Sequence, residues 1–467
     1  MISCPNCSKK VKTDKGLRLH QRVCIPIDSI IQENTNESHE STESTGSTDT
    51  YVTFKIHQTP TKDIRRIYHM ADLHIPLYYR HTEYRKVLKN TIERLKQDGC
   101  DPSTDLIVIC GDILHSKNTL SPECVVLAQD FLKDLSQLLP TIVIPGNHDT
   151  NLNNLNSIIS QDALGSIMYQ LLGSKDLPLY YFRKSGVYEF RNTKFVVNSV
   201  FDESWINIKT SDRDPNFKYI GLYHGALCQA TTDVGHILYD DRTIDDFANL
   251  DLVMLGDVHR HQYMDVISNT NPTQKKRIAY SGSLIQQNHG ESIDGHGVMC
   301  WDVNTLDSKH MEIYNPYSFQ TIVVLNGILQ LEPNRKWTES SFIRVKHCSN
   351  TTPDELKNIY VEVETHTMIA SWVLTRDMKL DTIVLENVDE NKSISNKVKP
   401  MKSNYTFQNY LDLTALDNKW DIQSKVQMQE CHDEITKHFE SNADENNCEK
   451  GMFQLGLMEF GNYFCYD

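Results

Sequence analysis

The sequence lacks a long hydrophobic run, and its first residues lack the apolar stretch of a secretory signal. Its 467 residues contain no apolar segment near the ~20 residues that a helix needs to cross a bilayer. Residues 1–16 (MISCPNCSKKVKTDKG) are polar where a signal peptide has a hydrophobic core. We therefore expect an intracellular protein that is neither secreted nor inserted in a membrane.

The chain also lacks the cysteine pattern of a disulfide-bonded protein and any excess of basic charge. Its 12 cysteines show no compact, even spacing, and three of them cluster at the N-terminus at the spacing of metal ligands. This usage indicates a reducing compartment, the nucleus or the cytoplasm.

The formal net charge of −15 argues against a protein that wraps nucleic acid over its whole surface, but it is compatible with a local basic track or a metal site.

Three N-terminal cysteines and one histidine predict a zinc finger in residues 1–26. The pattern is Cys4-x2-Cys7-x12-His20-x3-Cys24, which gives Zn²⁺ four ligands of the types that it binds in structural sites. One finger buries too little surface to specify a DNA site alone, so phosphate contact and protein docking both stay open. The Ser-, Thr-, Glu- and Asn-rich residues that follow predict a disordered linker over 27–60.

Two neighbouring apolar runs in the first half of the chain each end in polar residues. They are residues 105–112 (DLIVICGD) and 141–149 (TIVIPGNHD). Short runs of Ile, Val and Leu bounded by Gly or Pro are typical of buried parallel strands. Between them, Ser121-Pro122 opens a segment with apolar residues at helical spacing, which predicts a helix, and the patterns of residues 82–97 and 353–364 predict two more. The resulting βαβ unit places its polar residues at the strand edge where open α/β sheets bind ligands.

Further polar residues follow other predicted strands between 61 and 315, and together they form a set of metal-ligand types. Carboxylate, imidazole and amide in this mixture suit two divalent ions rather than a soft thiolate site. A shared carboxylate such as Asp112 can bridge two ions ~3.5–4 Å apart, and water held between such ions is acidified enough to attack phosphorus at neutral pH. The candidates are Asp72, His74, Asp112, Asn147, His148, His224, Asp257 and His259.

In this order the motifs resemble the calcineurin-like metallophosphoesterase superfamily, whose pattern is Asp-x-His, Gly-Asp, Gly-Asn-His-Asp/Glu, His and then Gly-His-x-His. Four segments are similar, in finer detail, to the SbcD-type nuclease subunit of DNA-repair complexes. These segments are residues 71–76 (ADLHIP), 111–123 (GDILHSKNTLSPE), 145–154 (PGNHDTNLNN) and 280–291 (YSGSLIQQNHGE). The resemblance is strong over residues 64–315 and weak over 318–400.

The resemblance implies an α/β fold, a metallophosphoesterase βαβ sandwich in which two sheets are flanked by helices, with a small α+β capping domain. The N-terminal zinc finger precedes it. We expect the finger at 1–26, the linker at 27–60, the nuclease domain at 61–315, the DNA-capping domain at 316–400, a helical region that binds a partner ATPase at 401–450, and the start of an SMC- or Rad-type ATPase strand at 451–467. No Gly-rich phosphate-binding loop follows that strand, which predicts an ATPase that is absent, truncated or encoded separately.

The resemblance also implies a role for each candidate. One metal would be held by Asp72, His74, Asp112 and His259, and the second by Asp112, Asn147, His224 and Asp257. His148 would be the catalytic histidine, which donates a proton to the leaving oxygen or steadies the phosphate, with Asp149 orienting it.

At one position the chain departs from the family pattern, because it reads Gly256-Asp257-Val258-His259 where Gly-His-x-His is usual. An aspartate keeps an oxygen ligand but adds negative charge. That charge favours harder ions, with Mn²⁺ preferred and Mg²⁺ as the alternative. We interpret Asp257 as a direct ligand. The open alternative is that Asp257 supports the site from outside it and His261 binds the metal.

The expected function is a two-metal DNA nuclease with 3′–5′ exonuclease and endonuclease activity on DNA ends or hairpins, acting in double-strand-break repair. The expected partners are DNA, an SMC- or SbcC-like ATPase bound by the amphipathic stretch 405–440, and a second copy of the chain. Basic clusters at 65–66, 80–86 and 275–277 are either phosphate contacts or solvated surface. A phosphatase or phosphodiesterase with non-DNA substrates and a non-catalytic repair scaffold stay open as alternatives.

Overall fold

The chain divides into two compact units, Met1–Pro316 and Tyr317–Asp467. The computed structural model describes residues 51–56, 62–117, 119–151, 162–173, 177–203, 205–264 and 277–377, with Leu380 and three two-residue strands nearer the N-terminus. These short strands are β1 (Ile2–Ser3), β2 (Lys10–Val11) and β3 (Thr42–Glu43). Across the residues so described, no helix is both long and apolar enough to span a bilayer.

Several predicted features lie outside the described residues. They are the four zinc ligands Cys4, Cys7, His20 and Cys24, the partner-binding region 401–450 and the terminal segment 451–467. Of residues 1–26, the structure describes only the antiparallel pairing of β1 with β2, in which Ile2 lies opposite Val11. The zinc finger and the ATPase-binding region therefore stay predictions.

A six-stranded sheet forms around the predicted βαβ unit, in the order β16-β15-β5-β6-β7-β8. Strands β5, β6, β7 and β8 are parallel to one another. Strand β15 pairs antiparallel with β5, and β16 pairs antiparallel with β15. They are β5 (Arg66–Met70), β6 (Asp105–Cys110), β7 (Thr141–Ile144), β8 (Leu179–Tyr181), β15 (Gly297–Asp302) and β16 (Ser308–Glu312). Every residue of β6 and β7 is buried, so their sequences are continuous apolar runs rather than alternating ones.

Three helices pack on one face of this sheet in a single hydrophobic cluster. They are α1 (His81–Gln97), α2 (Pro122–Leu138) and α3 (Ala163–Leu172). The apolar spacing predicted α1 and α2, whereas α3 was not predicted. The Ser121 side chain accepts a hydrogen bond from the Cys124 N–H over 3.1 Å, and Pro122 occupies a first-turn position that needs no N–H donor. These two residues fix where α2 begins.

A second, eight-stranded sheet has the order β13-β14-β12-β11-β10-β9-β4-β3, with β10, β11, β12 and β14 parallel. Its remaining strands are β4 (Val52–Lys55), β9 (Gly186–Phe190), β10 (Thr193–Asn198), β11 (Lys218–His224), β12 (Leu252–Gly256), β13 (Gln262–Tyr263) and β14 (Ile278–Tyr280). The two sheets pack face to face through one apolar cluster, in which Leu106 and Ile142 of the first sheet meet Leu222 and Met254 of the second. This is the mixed α/β architecture with flanking helices that the sequence predicted.

The outer face of the eight-stranded sheet differs from the expected sandwich. In the described part of the chain it is covered by loops and by two short 3-10 turns, Thr210–Asp212 and Ile244–Phe247, rather than by α-helices. Trp205 and Phe247 supply the apolar side chains of that cover. Helices therefore flank only the six-stranded sheet there.

The predicted linker ends earlier than residue 60. Residues 52–55 form strand β4, which pairs parallel with β9 at the edge of the eight-stranded sheet. The Phe54 ring stacks on Tyr188 with 4.6 Å between centroids, and Phe54 and Ile56 are partly buried against the core, so these contacts order a segment whose composition is otherwise polar.

The second unit contains a four-stranded sheet and one helix, an α+β arrangement. Its strands, in the order β18-β17-β19-β20, are β17 (Tyr317–Leu325), β18 (Ile328–Gln330), β19 (Ser340–His347) and β20 (Met368–Arg376). Helix α4 (Pro353–Glu364) begins at a capping box, in which the Thr352 hydroxyl accepts from the Glu355 N–H and the Glu355 carboxylate accepts from the Thr352 N–H. Its DNA-capping role stays a prediction.

Candidate metal centre

Four predicted ligands have a left-handed backbone conformation, immediately after buried strands. Asp72 and His74 have φ of 53° and 49°, Asp112 has 53° and Asp257 has 94°. Aspartate and histidine tolerate this region better than most residues, but it still costs free energy. The conformation bends the chain sharply after β5, β6 and β12 and turns these side chains toward one another at the sheet edges.

Close backbone approach explains the glycine before each ligand in two of the motifs. A Cβ on Gly111 would lie 2.4 Å from His224 Nδ1, and a Cβ on Gly146 would lie 2.2 Å from Asp112 Oδ1. Any side chain at either position would therefore displace a candidate ligand.

The first predicted ligand set converges in the structure. Asp72 and His74 are buried, and the side chains of Asp72, His74 and His259 lie close enough to hold one ion. His74 Nε2 lies 3.0 Å from His259 Nε2 and 3.5 Å from Asp112 Oδ2. His259 Nδ1 donates to the Glu291 carboxylate over 2.8 Å, which leaves the lone pair of His259 on Nε2, facing His74.

The second predicted ligand set converges beside the first. The Asn147 amide N–H donates to Asp257 Oδ1 over 3.1 Å, and His224 Nε2 lies 3.3 Å from Asp112 Oδ1 and 3.8 Å from Asp257 Oδ1. His224 Nδ1 donates to the Cys110 carbonyl over 2.7 Å, so its Nε2 carries the lone pair. Asp72, Asp112 and His224 also form a group that could hold one ion.

Two ligand-type atoms of this second set have no hydrogen-bond partner although they are buried. They are Asn147 Oδ1 and His224 Nε2, and both belong to side chains beside Asp257. A buried acceptor without a donor costs about 1–3 kcal/mol unless something else satisfies it. A divalent cation would satisfy both atoms, so the donor set fits a metal at this position.

Charge supports the same conclusion. Among the ion pairs of the described residues, the carboxylates of Asp112 and Asp257 have histidine partners but no lysine or arginine. Burial raises the pKa of Asp72 to about 7 and also raises the pKa of Asp257. Although burial raises it, the nearby histidines, with His224 foremost, hold the pKa of Asp112 below its usual range. Asp112, with one oxygen toward each set, occupies the position expected of a bridging ligand.

His148 lies between the two ligand sets, and its ring is held by His115 rather than by the expected Asp149. Its N–H donates to Asp112 Oδ1 over 2.7 Å, and its ring Nδ1 donates to the His115 carbonyl over 2.7 Å. Asp149 does not bond to the ring. Its carboxylate accepts from the Leu114 and Gly146 N–H groups, each over 2.9 Å, so it joins the two ligand loops instead.

The structure places Asp257, and not His261, beside the second ligand set. His261 Nδ1 donates to the Tyr280 carbonyl over 3.1 Å, and its ring stacks on His310 with 4.2 Å between centroids. Asp257 lies next to Asn147 and His224, and its role as a direct ligand stays a prediction.

Two residues of the centre were not assigned a role from the sequence. Glu291 holds His259 and also accepts from the Gln287 N–H over 2.7 Å, and His115 lies within metal-binding reach of His74 and His148. Both lie in segments that resemble the nuclease branch, but neither directly follows a predicted strand. A search confined to strand ends therefore passes over them.

In two of the predicted basic clusters, one arginine has a structural role. Arg66 forms ion pairs with Asp105 at 2.6 Å and with Asp98 at 3.3 Å. Arg80 is buried against Glu83, with 2.7 Å between the two charged groups. These arginines are therefore not available as contacts for a phosphate backbone.

Residues 65–283 match the family model described as calcineurin-like phosphoesterase. The chain is also similar to an uncharacterized protein of Acanthamoeba polyphaga mimivirus, with 38% identity over 306 residues. That alignment covers 63% of this chain and 21% of the relative, so the chain spans about a fifth of the relative's length. All the candidate metal ligands, from Asp72 to His259, fall inside the range that matches the family model.

Proposed function

We propose that the chain, whose residues 65–283 match the calcineurin-like phosphoesterase model, is a two-metal-dependent DNA nuclease. The family implies metal-dependent hydrolysis of phosphoesters. The observation that carries the proposal is the convergence of both ligand sets on Asp112, with Asn147 Oδ1 and His224 Nε2 buried and unpartnered. The proposed activities are 3′–5′ exonuclease and endonuclease cleavage in double-strand-break repair.

Each side chain has a defined part in this proposal. Bound divalent ions, Mn²⁺ or Mg²⁺, would neutralise the phosphate and supply hydroxide at neutral pH. Asp72, His74, Asp112 and His259 would hold one ion, and Asp112, Asn147, His224 and Asp257 the other. His148 is half-buried, with Nδ1 held by the His115 carbonyl, so Nε2 of the doubly protonated ring is the atom that would give a proton to the leaving oxygen.

DNA is proposed as the substrate because the four segments that resemble SbcD-type nucleases surround this centre. They include the loops of Asp72, Asp112 and His148 and the loop that ends in Glu291. The net charge of −15 makes a phosphodiester backbone an unfavourable ligand for most of the surface, so bound cations would provide the attraction at the site.

The test is Mn²⁺-dependent digestion of end-labelled duplex and hairpin DNA by wild type and His148→Ala. We expect wild type to cleave DNA and His148→Ala to lose at least ~100-fold in rate, the usual contribution of a general acid. His236→Ala, which alters an exposed histidine outside both ligand sets, is the matched control and should retain the wild-type rate. Hydrolysis of p-nitrophenyl phosphate without DNA cleavage would favour a phosphatase, and inertness toward both would favour a scaffold.

The proposed partners are an SMC-like ATPase and a second copy of the chain. The ATPase would bind residues 401–450, which lie outside the described residues. Co-purification of the full chain with such an ATPase, and its loss when 401–450 is replaced by a flexible linker, is the expected result. Light scattering that gives a monomer at micromolar concentration would contradict the homodimer.

A further inference from the structure

We propose that a cavity of about 260 Å³ beside the second ligand set binds one nucleobase of the nucleic-acid substrate. The inference rests on the proposed nuclease function and extends it from the phosphate to the adjoining base. The side chains that the argument uses are Asn147, Asp202, Trp205, Tyr223, His224 and Arg242, all of which line the cavity.

The cavity opens onto the candidate metal centre. Two of its lining residues, Asn147 and His224, belong to the second ligand set. It also lies at the carboxyl ends of two neighbouring parallel strands, since Asn198 ends β10, His224 ends β11, and both line it. That edge is where open α/β sheets bind ligands. A group held here would therefore be attached close to a phosphate at the metals.

One wall offers a flat surface suited to an aromatic ring. The Arg242 guanidinium lies over the Trp205 ring, with 4.1 Å from Cζ to the centroid. Tyr223 and Phe247 contact the same indole edge-on, at 5.1 and 5.4 Å between centroids. These contacts fix the orientation of Trp205 before any ligand arrives. Indole and guanidinium planes are the surfaces on which proteins stack unpaired bases.

The segment after β10, which brings Asp202 to the cavity, is also held in place without a ligand. Asp202 accepts a hydrogen bond from the Ser185 N–H over 2.6 Å. Arg183 lies 3.8 Å above the Phe201 ring and pairs with the buried Asp162 over 2.6 Å. The segment after β10 is thus tied to the core at two points. A preformed cavity of this kind lowers the entropic cost of binding.

Charge decides between a base and a second phosphate. Asp202 and Glu203 line the cavity, and Arg242, the one lysine or arginine in the lining among the described residues, lies 3.6 Å from the Asp246 carboxylate. Away from the metal ligands Asn147 and His224, these two carboxylates outweigh one partly neutralised guanidinium and disfavour a second phosphate. They suit a neutral planar ring with exposed amino groups, because carboxylates accept hydrogen bonds from such groups on bases. The expected ligands are cytosine, adenine and guanine in preference to thymine.

The test is calorimetric titration of the full chain, in Mn²⁺, with the four deoxynucleoside 5′-monophosphates and with 2-deoxyribose 5-phosphate. The sugar phosphate supplies the phosphate without a base. We expect the nucleotides of cytosine, adenine and guanine to bind at least ~10-fold more tightly than the sugar phosphate, as expected for one stacked base. Trp205→Ala and Arg242→Ala should reduce that preference to less than about 3-fold.

Arg213→Ala is the matched control. Arg213 also lies over an aromatic ring, 5.0 Å from the Tyr219 centroid, and pairs with Asp251 over 2.5 Å, but it does not line the cavity. The control should keep the full preference for nucleotides. Equal binding of nucleotides and sugar phosphate by wild type, or a preference that survives in both cavity variants, would overturn the inference.

Failure of this inference can be told apart from failure of the proposed nuclease function. Cleavage of DNA without a base preference refutes the cavity assignment alone. A base preference in a protein that cleaves no DNA refutes the nuclease and leaves a nucleotide-binding cavity. Should Trp205→Ala fail to fold, as judged by circular dichroism, Arg242→Gln on the cavity mouth decides the question.

Discussion

Four candidate ligands have positive φ, a conformation that costs a non-glycine residue on the order of 1–2 kcal/mol. Strain of this kind persists only where surrounding contacts over-determine the backbone. Here the contacts are visible, because the Asp257 N–H donates to the Asp72 carboxylate over 3.0 Å and the His148 N–H donates to Asp112 over 2.7 Å. The carboxylates of Asp72 and Asp112 are thus held in place by backbone N–H groups of neighbouring site residues as well as by the strands that precede them.

Substitution of Asp257 tests whether this aspartate binds a metal at the position where the Gly-His-x-His pattern has its first histidine. We predict that Asp257→Ala reduces bound Mn²⁺ from two ions per chain to one, because Asp257 is the carboxylate beside both unpartnered atoms of the second set. Metal content after dialysis, measured by atomic emission, reports the number directly. Two ions in Asp257→Ala would contradict direct coordination.

The matched substitution is Asp257→His, which restores the usual family pattern. We expect this variant to bind two ions, since imidazole also suits such a site. Because histidine removes one negative charge, its preference should move from Mn²⁺ toward Zn²⁺. Competition between the two metals, followed by calorimetry, measures that change.

Glu291 acts through His259 and is a positioning residue. Against the lowering effect of burial, the hydrogen bond to Glu291 raises the pKa of His259 to about 9, so a metal would displace a proton from Nε2. The same hydrogen bond fixes which ring nitrogen faces the metal position. We predict that Glu291→Gln weakens Mn²⁺ binding by roughly 10–100-fold, the usual effect of losing such a partner. Calorimetric titration measures it.

The control for Glu291 is Glu93→Gln on the surface of α1, where the carboxylate is 52% exposed and lies 3.8 Å from Lys89. This pair should contribute little, and its loss should leave metal affinity unchanged. An equal loss of affinity in both variants would mean that general charge, rather than the position of His259, controls binding.

At the scale of elements, substitution of the residues that cap α2 and α4 tests the stability of each unit separately. Ser121 caps α2 in the first unit, and its hydroxyl also donates to the Leu77 carbonyl. Thr352 caps α4 in the second unit. We predict that Ser121→Ala and Thr352→Ala each destabilise their own unit by about 1 kcal/mol, with the larger effect at Ser121 because Leu77 loses a donor as well.

Urea unfolding followed by hydrogen exchange distinguishes the two units. Ser121→Ala should increase exchange at α2 and β6, and Thr352→Ala at α4 and β19. Exchange that rises equally in both units in either variant would contradict their independence. Neither change should alter metal content, because neither residue contacts a candidate ligand.

At the scale of the whole molecule, stability depends on the contact between the two sheets. His69 of β5 is buried there, and its Nε2 donates to the Leu255 carbonyl of β12 over 3.1 Å. Its Nδ1 is buried without a partner, so a second proton would have no acceptor. Burial accordingly lowers the pKa of His69 to about 3.

We predict that acid destabilises the fold through His69. A pKa lower in the folded than in the unfolded chain gives stability that is complete above the unfolded value of 6.5 and is lost as pH falls toward about 3. The expected loss between pH 7 and 4.5 is about 2–3 kcal/mol. Urea unfolding at several pH values should show a shallower acid slope for His69→Gln than for wild type, and an unchanged slope for His236→Gln. Equal slopes for wild type and His69→Gln would contradict the prediction.

The sequence by itself determined the mixed α/β core, helices α1, α2 and α4, and the candidate ligands at the strand ends. These features are local, because a buried parallel strand must be a continuous apolar run and a helix start needs a capping residue. The residues after such strands are brought together by any parallel sheet. The order of the motifs therefore carried most of the candidate site.

Only the tertiary structure decided which residues hold the ligands in place. Glu291 follows His259 by 32 positions, and His74 meets His259 across 185 positions, so no local pattern relates them. The same holds for the His115 carbonyl that orients His148, the part first given to Asp149. Strand β4 was missed because a partly buried ring, Phe54, stacks on the core and orders a polar segment. Such contacts depend on how the sheets pack, which the chain specifies only as a whole.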